Sequence, residues 1–209
     1  MQTPHNYVPV LFASLLQPIV DLFDHMEKKE PKGPNEVQAS KHENGYAASI
    51  AVLTVIVIES VCNRARHVYG LVDRNGAVQT LRELQAGGLA DDVEELFVLR
   101  DVIAHNHIWE AIAEDDTTGL TLVSATKHPS YGDAKFNRTV DLEIRQTRRL
   151  HLDIFPARIH RQTAIVVLQK CVEVLRFLEN SDTRLVGSTD PHIIWKSRPV
   201  AFYQWVDEL

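Results

Sequence analysis

The chain has 209 residues, 44% of them apolar and 24% charged, with a net charge of −6 at neutral pH. That length suits one domain with an appendage and can bury a sizeable core. The acidic balance excludes indiscriminate nucleic-acid binding, which needs broad positive surface, but leaves room for a local phosphate site.

Met1 to His5 lacks a basic start, and Pro9 and Pro18 interrupt the apolar stretch that follows, so no secretory signal is read. Val8 to Glu27 predicts the first helix, because Leu11, Leu15, Ile19, Leu22 and Phe23 recur at helical spacing. Lys28 to Gly45, with Pro31, Gly33 and Pro34, reads as a polar and mobile connector. Tyr46 to Tyr69 predicts a second helix whose first half is apolar on every side, the mark of a central helix. Its longest uncharged run, Gly45 to Ile58, falls short of the roughly 20 residues that cross a bilayer. A cytoplasmic location with no membrane association is therefore expected. Cys62 and Cys171 fall in apolar helical patterns and read as buried free thiols.

Val78 to Gln85 suggests a short third helix closed by Gly87-Gly88, and a fourth begins near Asp91-Asp92, where acids favour a helix start. Strict alternation in Thr139 to Ile144 and Leu150 to Ile154, and briefly in Leu120 to Leu122, predicts strands. Ala157 to Asn180 carries the clearest amphipathic stripe, from Ile159 through Val167, Cys171 and Val174 to Leu178. The expected fold is mainly α: a bundle of roughly four to five helices with a small inserted β-hairpin or three-stranded flap. Residues 1–180 would form the helical domain, with the insert at about 116–155. Residues 181–209 would form an irregular aromatic tail packed back on the domain or on a partner.

The fourth helix carries Arg100, Asp101 and His105, followed at once by Asn106 and His107. No other Lys or Arg occurs between Arg82 and Lys127. The helical neighbours of Arg100 are Leu96, Phe97, Ile103 and Ala104, none of which can neutralise it. An arginine in such surroundings needs an anion from elsewhere, either a carboxylate of another helix or a ligand's phosphate. Asp101 and His105 are four apart, so they share a helix face where the carboxylate could orient the imidazole as a general base. Arg100 lies about 140° around the axis from His105, so a straight helix does not bring both to one phosphate unaided.

Glu59, at the end of the second helix's apolar run, could orient Arg100 or His105, or could simply bridge the arginine. His105 and His107 point to different sides of a helix and no ligand set gathers around them, so neither metal nor cofactor is expected. The six arginines 138, 145, 148, 149, 158 and 161 stand against Asp141, Glu143 and Asp153. They are either a local patch that steers an RNA backbone, with Arg145, Arg148, Arg149, Arg158 and Arg161 as its contacts, or a solvated face.

Arg100, Asp101 and His105, with four residues between the arginine and the histidine, resemble the signature of the HEPN (higher eukaryotes and prokaryotes nucleotide-binding) superfamily. The apolar helix ending in Glu59 has the same texture. The likeness covers roughly Tyr46 to Glu110 and, more loosely, the last long helix; the insert and the tail have no counterpart. It implies an all-α bundle that forms a homodimer with two motifs facing one cleft. It also implies metal-independent endoribonuclease activity in toxin–antitoxin, phage-defence or RNA-processing settings. In that scheme RNA is the substrate, His105 takes the 2′-hydroxyl proton and Arg100 binds the phosphate. Asp101 orients His105, Glu59 supports the pair, and Asn106 and His107 supply a hydrogen bond or the leaving-group proton. Some antitoxin partners modify a tyrosine two positions after the motif histidine; His107 stands there in this chain. The resemblance also admits a non-catalytic module that binds nucleotide, RNA or a protein partner.

Overall fold

A long apolar helix must bury most of its surface, and the chain does this by wrapping its other helices around one. In the computed structural model, residues 12–31, 36–38, 42–71, 76–105, 109–116, 119–127, 134–186 and 191–209 are described. Helix α1 is Phe12–Glu27 and α2, the central helix, is Glu43–Val68. Next come α3 (Ala77–Glu83) and α4 (Gly88–Ala104). The insert follows: an antiparallel hairpin of β1 (Trp109–Asp116) and β2 (Gly119–Lys127), then α5 (Ala134–Thr139). It ends in a minimal ladder of β3 (Val140–Asp141) with β4 (Gln146–Thr147). A 3₁₀ turn at Pro156–Arg158 leads into α6 (Arg161–Ser181). The chain finishes with α7 (Thr183–Val186), a hairpin of β5 (His192–Trp195) and β6 (Arg198–Ala201), and α8 (Phe202–Asp207).

The molecule is thus mainly helical, and α2 packs against α1, α3, α4, α6 and α7. By length and composition α2 could cross a membrane, but half of that stretch is buried inside the fold. The core joins Ile19 and Phe23 of α1, Ile50, Val57 and Val61 of α2, and Val167, Leu168 and Leu175 of α6. Each such side chain, fully withdrawn from water, contributes about 1.5–3 kcal/mol. Cys62 and Cys171 are buried free thiols on α2 and α6.

Several expectations are corrected here. The strands predicted at Thr139 to Ile144 and Leu150 to Ile154 shrink to a pairing of Val140 with Thr147 and Asp141 with Gln146, plus a lone bridge from Gln146 to Asp153. The longer hairpin lies earlier, with Trp109 opposite Lys127 and a bulge at Ile112/Ala113. It therefore begins before residue 116, where the insert was expected to start. Glu110 to Asp115 are exposed on both faces of β1, so apolar alternation has no core to report there.

The connector is also partly pinned. Gln38 donates its backbone N–H to the carbonyl of Ala157 at 2.8 Å, and Val37 packs against Phe155. The described part of residues 181–209 is not irregular but forms α7, the β5–β6 hairpin and α8. Phe23 and Trp205 meet edge to face at 5.3 Å, and Gln17 hydrogen-bonds both the N–H and the carbonyl of Ile194, which fastens the tail onto α1.

Candidate functional site

The candidate site lies where α4 emerges from between two apolar clusters. Ala90, Val93, Leu96 and Leu99 enter the bundle core, whereas Val98 and Val102 join Phe136, Val140 and Ile154 of the insert. The first half of the helix is acidic, and the insert's arginines answer it. Glu94 pairs with Arg82 at 3.1 Å and Arg138 at 2.6 Å, and Asp92 pairs with Arg149 at 2.7 Å. The buried carboxylate of Glu95 accepts the backbone N–H groups of Arg149 and Leu150, both at 2.9 Å.

The arginine segment is accordingly not one free patch. Arg158 is buried against Asp153 at 2.9 Å, and burial raises the Asp153 carboxyl despite that partner. Arg161 lies 3.5 Å from buried Glu43 and donates to the carbonyls of Met26 and Lys29. Arg148 stands 3.7 Å from Asp141 and remains exposed. Arg145 occupies the left-handed backbone region (φ 59°) with its Nε buried. Arg158 and Arg161 serve as internal ties; the exposed arginines of the segment are Arg138, Arg148 and Arg149, which stand beside the carboxylates of Asp91, Glu94 and Glu95. The β1–β2 hairpin adds no positive charge to this surface on its β1 strand, which holds Glu110, Glu114, Asp115 and Asp116.

Past Leu99 the shelter of the bundle ends, and Arg100 and Asp101 keep 27% and 25% of their side-chain exposure. The anion that neutralises Arg100 is its own chain neighbour: Nε lies 2.8 Å from Oδ1 of Asp101. Sequence reasoning looked three and four residues away and to other helices, and so missed this adjacent contact. It is a charge contact without hydrogen-bond alignment. The guanidinium also lies over the Phe97 ring, 5.1 Å from its centroid. Its terminal nitrogens donate to no described residue. The second oxygen of Asp101 takes the ammonium of Lys135, on α5, at 2.9 Å.

Lys135 was not foreseen. It is 34 residues downstream of Asp101, in a short helix recognisable only from the apolar spacing of Phe136 and Val140.

His105 caps the C-terminus of α4, with its N–H on the carbonyl of Asp101 at 2.9 Å and its side chain exposed. No side-chain bond joins it to Asp101 among the described residues, so the expected carboxylate–imidazole pair is replaced by the Arg100–Asp101–Lys135 chain. α4 stays helical to Ala104, which keeps the angular gap between Arg100 and His105 at about 140°. Glu59 is half-buried on α2 and bonds neither Arg100 nor His105 among the described residues. Asn106 and His107 lie outside the described residues.

Beside the motif, Ile103 closes an open apolar groove of about 440 Å³ with Leu22, Ala48, Val52 and Leu53. Among the described residues no three His, Cys, Asp or Glu side chains gather as a metal ion would require.

These features define a mainly helical protein whose inserted module grips one helix and exposes that helix's charged end. No family model, curated protein or solved structure matches the chain.

Proposed function

We propose that the chain is a HEPN-type, metal-independent endoribonuclease that acts as a homodimer. The observation that carries this reading is the exposed end of α4, where the terminal nitrogens of Arg100 donate to no described residue and His105 stands in solvent about a turn and a half on. His105 removes the proton from a ribose 2′-hydroxyl, and that oxygen attacks the adjacent phosphorus. The bond to the 5′-oxygen breaks, leaving a 2′,3′-cyclic phosphate on one fragment and a 5′-hydroxyl on the other. The leaving oxygen takes up a proton, for which His107 is the nearest acid in the sequence. The Arg100 fork faces the phosphate oxygens and stabilises the charge they gain. Asp101 holds the guanidinium in place. Cleavage of cellular RNA would make the protein a toxin or phage-defence effector held in check by a protein partner.

Two copies would meet through the apolar groove at Ile103, which adjoins the motif. A two-fold axis then sets the arginine of one copy beside the histidine of the other and closes the angular gap. Purified protein is expected to cut RNA in the presence of a chelator. His105→Ala and Arg100→Ala should each lower the rate by about 10²–10⁴-fold with the fold intact by circular dichroism. Cutting that persists in both variants rejects the proposal.

A second reading is a non-catalytic module that binds nucleotide, RNA or a protein. The neutralisation of Arg100 by Asp101 and the acidic β1 strand favour it. A wild type inert on varied RNAs, yet stable in a complex with a partner, would select this reading.

A further inference from the structure

We propose that Lys135 is a second phosphate-binding cation of the same site, delivered by the insert; this rests on the nuclease reading above. The two oxygens of Asp101 are taken by different cations, Arg100 through Nε at 2.8 Å and Lys135 through Nζ at 2.9 Å. The cluster therefore carries one net positive charge where the chain as a whole is acidic. Neither cation spends its full donor set on the carboxylate. Arg100 uses the nitrogen that is not part of its terminal fork, and an ammonium has three donors, of which Asp101 takes one.

Both cations remain partly open to solvent, at 27% and 30% of side-chain exposure. The base of Lys135 is fixed, because Phe136 is buried in the cluster with Val98 and Val102 and the Thr139 hydroxyl returns to the Lys135 carbonyl at 3.0 Å. Asp101 is then a spacer that holds two cations at a set separation. The arginine fork meets the scissile phosphate, and the ammonium meets the neighbouring phosphate of the same strand. RNA is single-stranded at such a site, since a duplex would hold the 2′-oxygen away from in-line attack.

A purely structural bridge makes a different forecast. A pair this exposed adds little to stability, so Lys135→Gln should fold normally either way. The test measures the Kd of a single-stranded oligonucleotide made uncleavable by 2′-deoxy substitution, over roughly 50–200 mM salt, together with kcat and KM on its cleavable counterpart. Lys135→Gln is expected to weaken binding about tenfold at the lowest salt and to load the loss on KM rather than kcat. It should also reduce the slope of log Kd against log salt by about 0.7, the contribution of one contact on a single strand. Lys135→Arg should restore the slope. Should Lys135→Gln lose its fold, Lys135→Met, which keeps the apolar stem, replaces it.

An unchanged Kd and slope in a protein that still needs Arg100 and His105 for cutting overturns the role of Lys135 and leaves the nuclease standing. A fall in kcat with Kd unchanged overturns it as well. A wild type that neither binds nor cuts RNA removes both proposals together.

Discussion

Asp101 decides the character of the motif more than Arg100 does. A carboxylate one residue from an arginine is a poor helical partner by angle, yet the long arginine stem lets Nε fold across to it at 2.8 Å. This leaves the terminal fork without a bond to any described residue, which is the arrangement an oxyanion can use. The cysteines illustrate the opposite case, side chains sealed from chemistry. Burial pushes the Cys62 thiol up to about 12 from an ordinary 9.0, with Glu59 adding to the shift, and raises the Cys171 thiol as well. A thiol whose folded pKa is raised gives stability that is complete below the unfolded pKa and is lost as pH rises through the folded one. Thermal midpoints should therefore stay level up to about pH 9 and fall beyond it, and Cys62→Ala should flatten that alkaline decline. At pH 8 a thiol reagent should label the native protein only at its opening rate. Rapid labelling of the folded chain would contradict the burial argument.

At the scale of elements, α4 is a helix gripped from two sides, and its acidic start is the tie for the insert. Glu95 is 1% exposed and accepts two backbone N–H groups from the turn at Arg149 and Leu150. Glu95→Ala strands both donors, and a loss of about 2–4 kcal/mol is expected in denaturant unfolding. Arg148→Ala, which removes only an exposed contact at 3.7 Å, should stay within about 0.5 kcal/mol. Equal effects would mean that Glu95 does not anchor the insert.

The same contacts explain what could be read in the sequence. The long helices were visible because α1, α2 and α6 each bury an unbroken stripe against a common core. The alternation around residues 139–154 misled because its apolar members Leu142 and Ile144 are exposed rather than packed on a core, and Glu95 takes the N–H groups of Arg149 and Leu150 that a ladder would have used. Strand β1 gave no alternation because Glu110 to Asp115 are exposed on both faces, while Trp109 at its start packs against Phe155. Arg100, Asp101 and His105 stood out by spacing, whereas Lys135 comes to them only through the docking of α5 on Val98 and Val102.

The whole molecule poses one geometric question: whether one chain holds a complete site. α4 is regular to Ala104, so Arg100 and His105 leave the helix about 140° apart. A single chain would need a long side chain to bridge that gap, and Arg100 is already held by Phe97 and Asp101. A symmetric pair needs no such movement, because each histidine can serve the arginine of the other copy. The two arrangements separate cleanly when Arg100→Ala and His105→Ala chains, each inactive alone, are unfolded together and refolded as an equal mixture. With sites shared across the two-fold, about half of the dimers are mixed, and each mixed dimer carries one intact site of two. The mixture should then recover about a quarter of wild-type activity. With sites contained within one chain, every site lacks either its arginine or its histidine, and no activity returns.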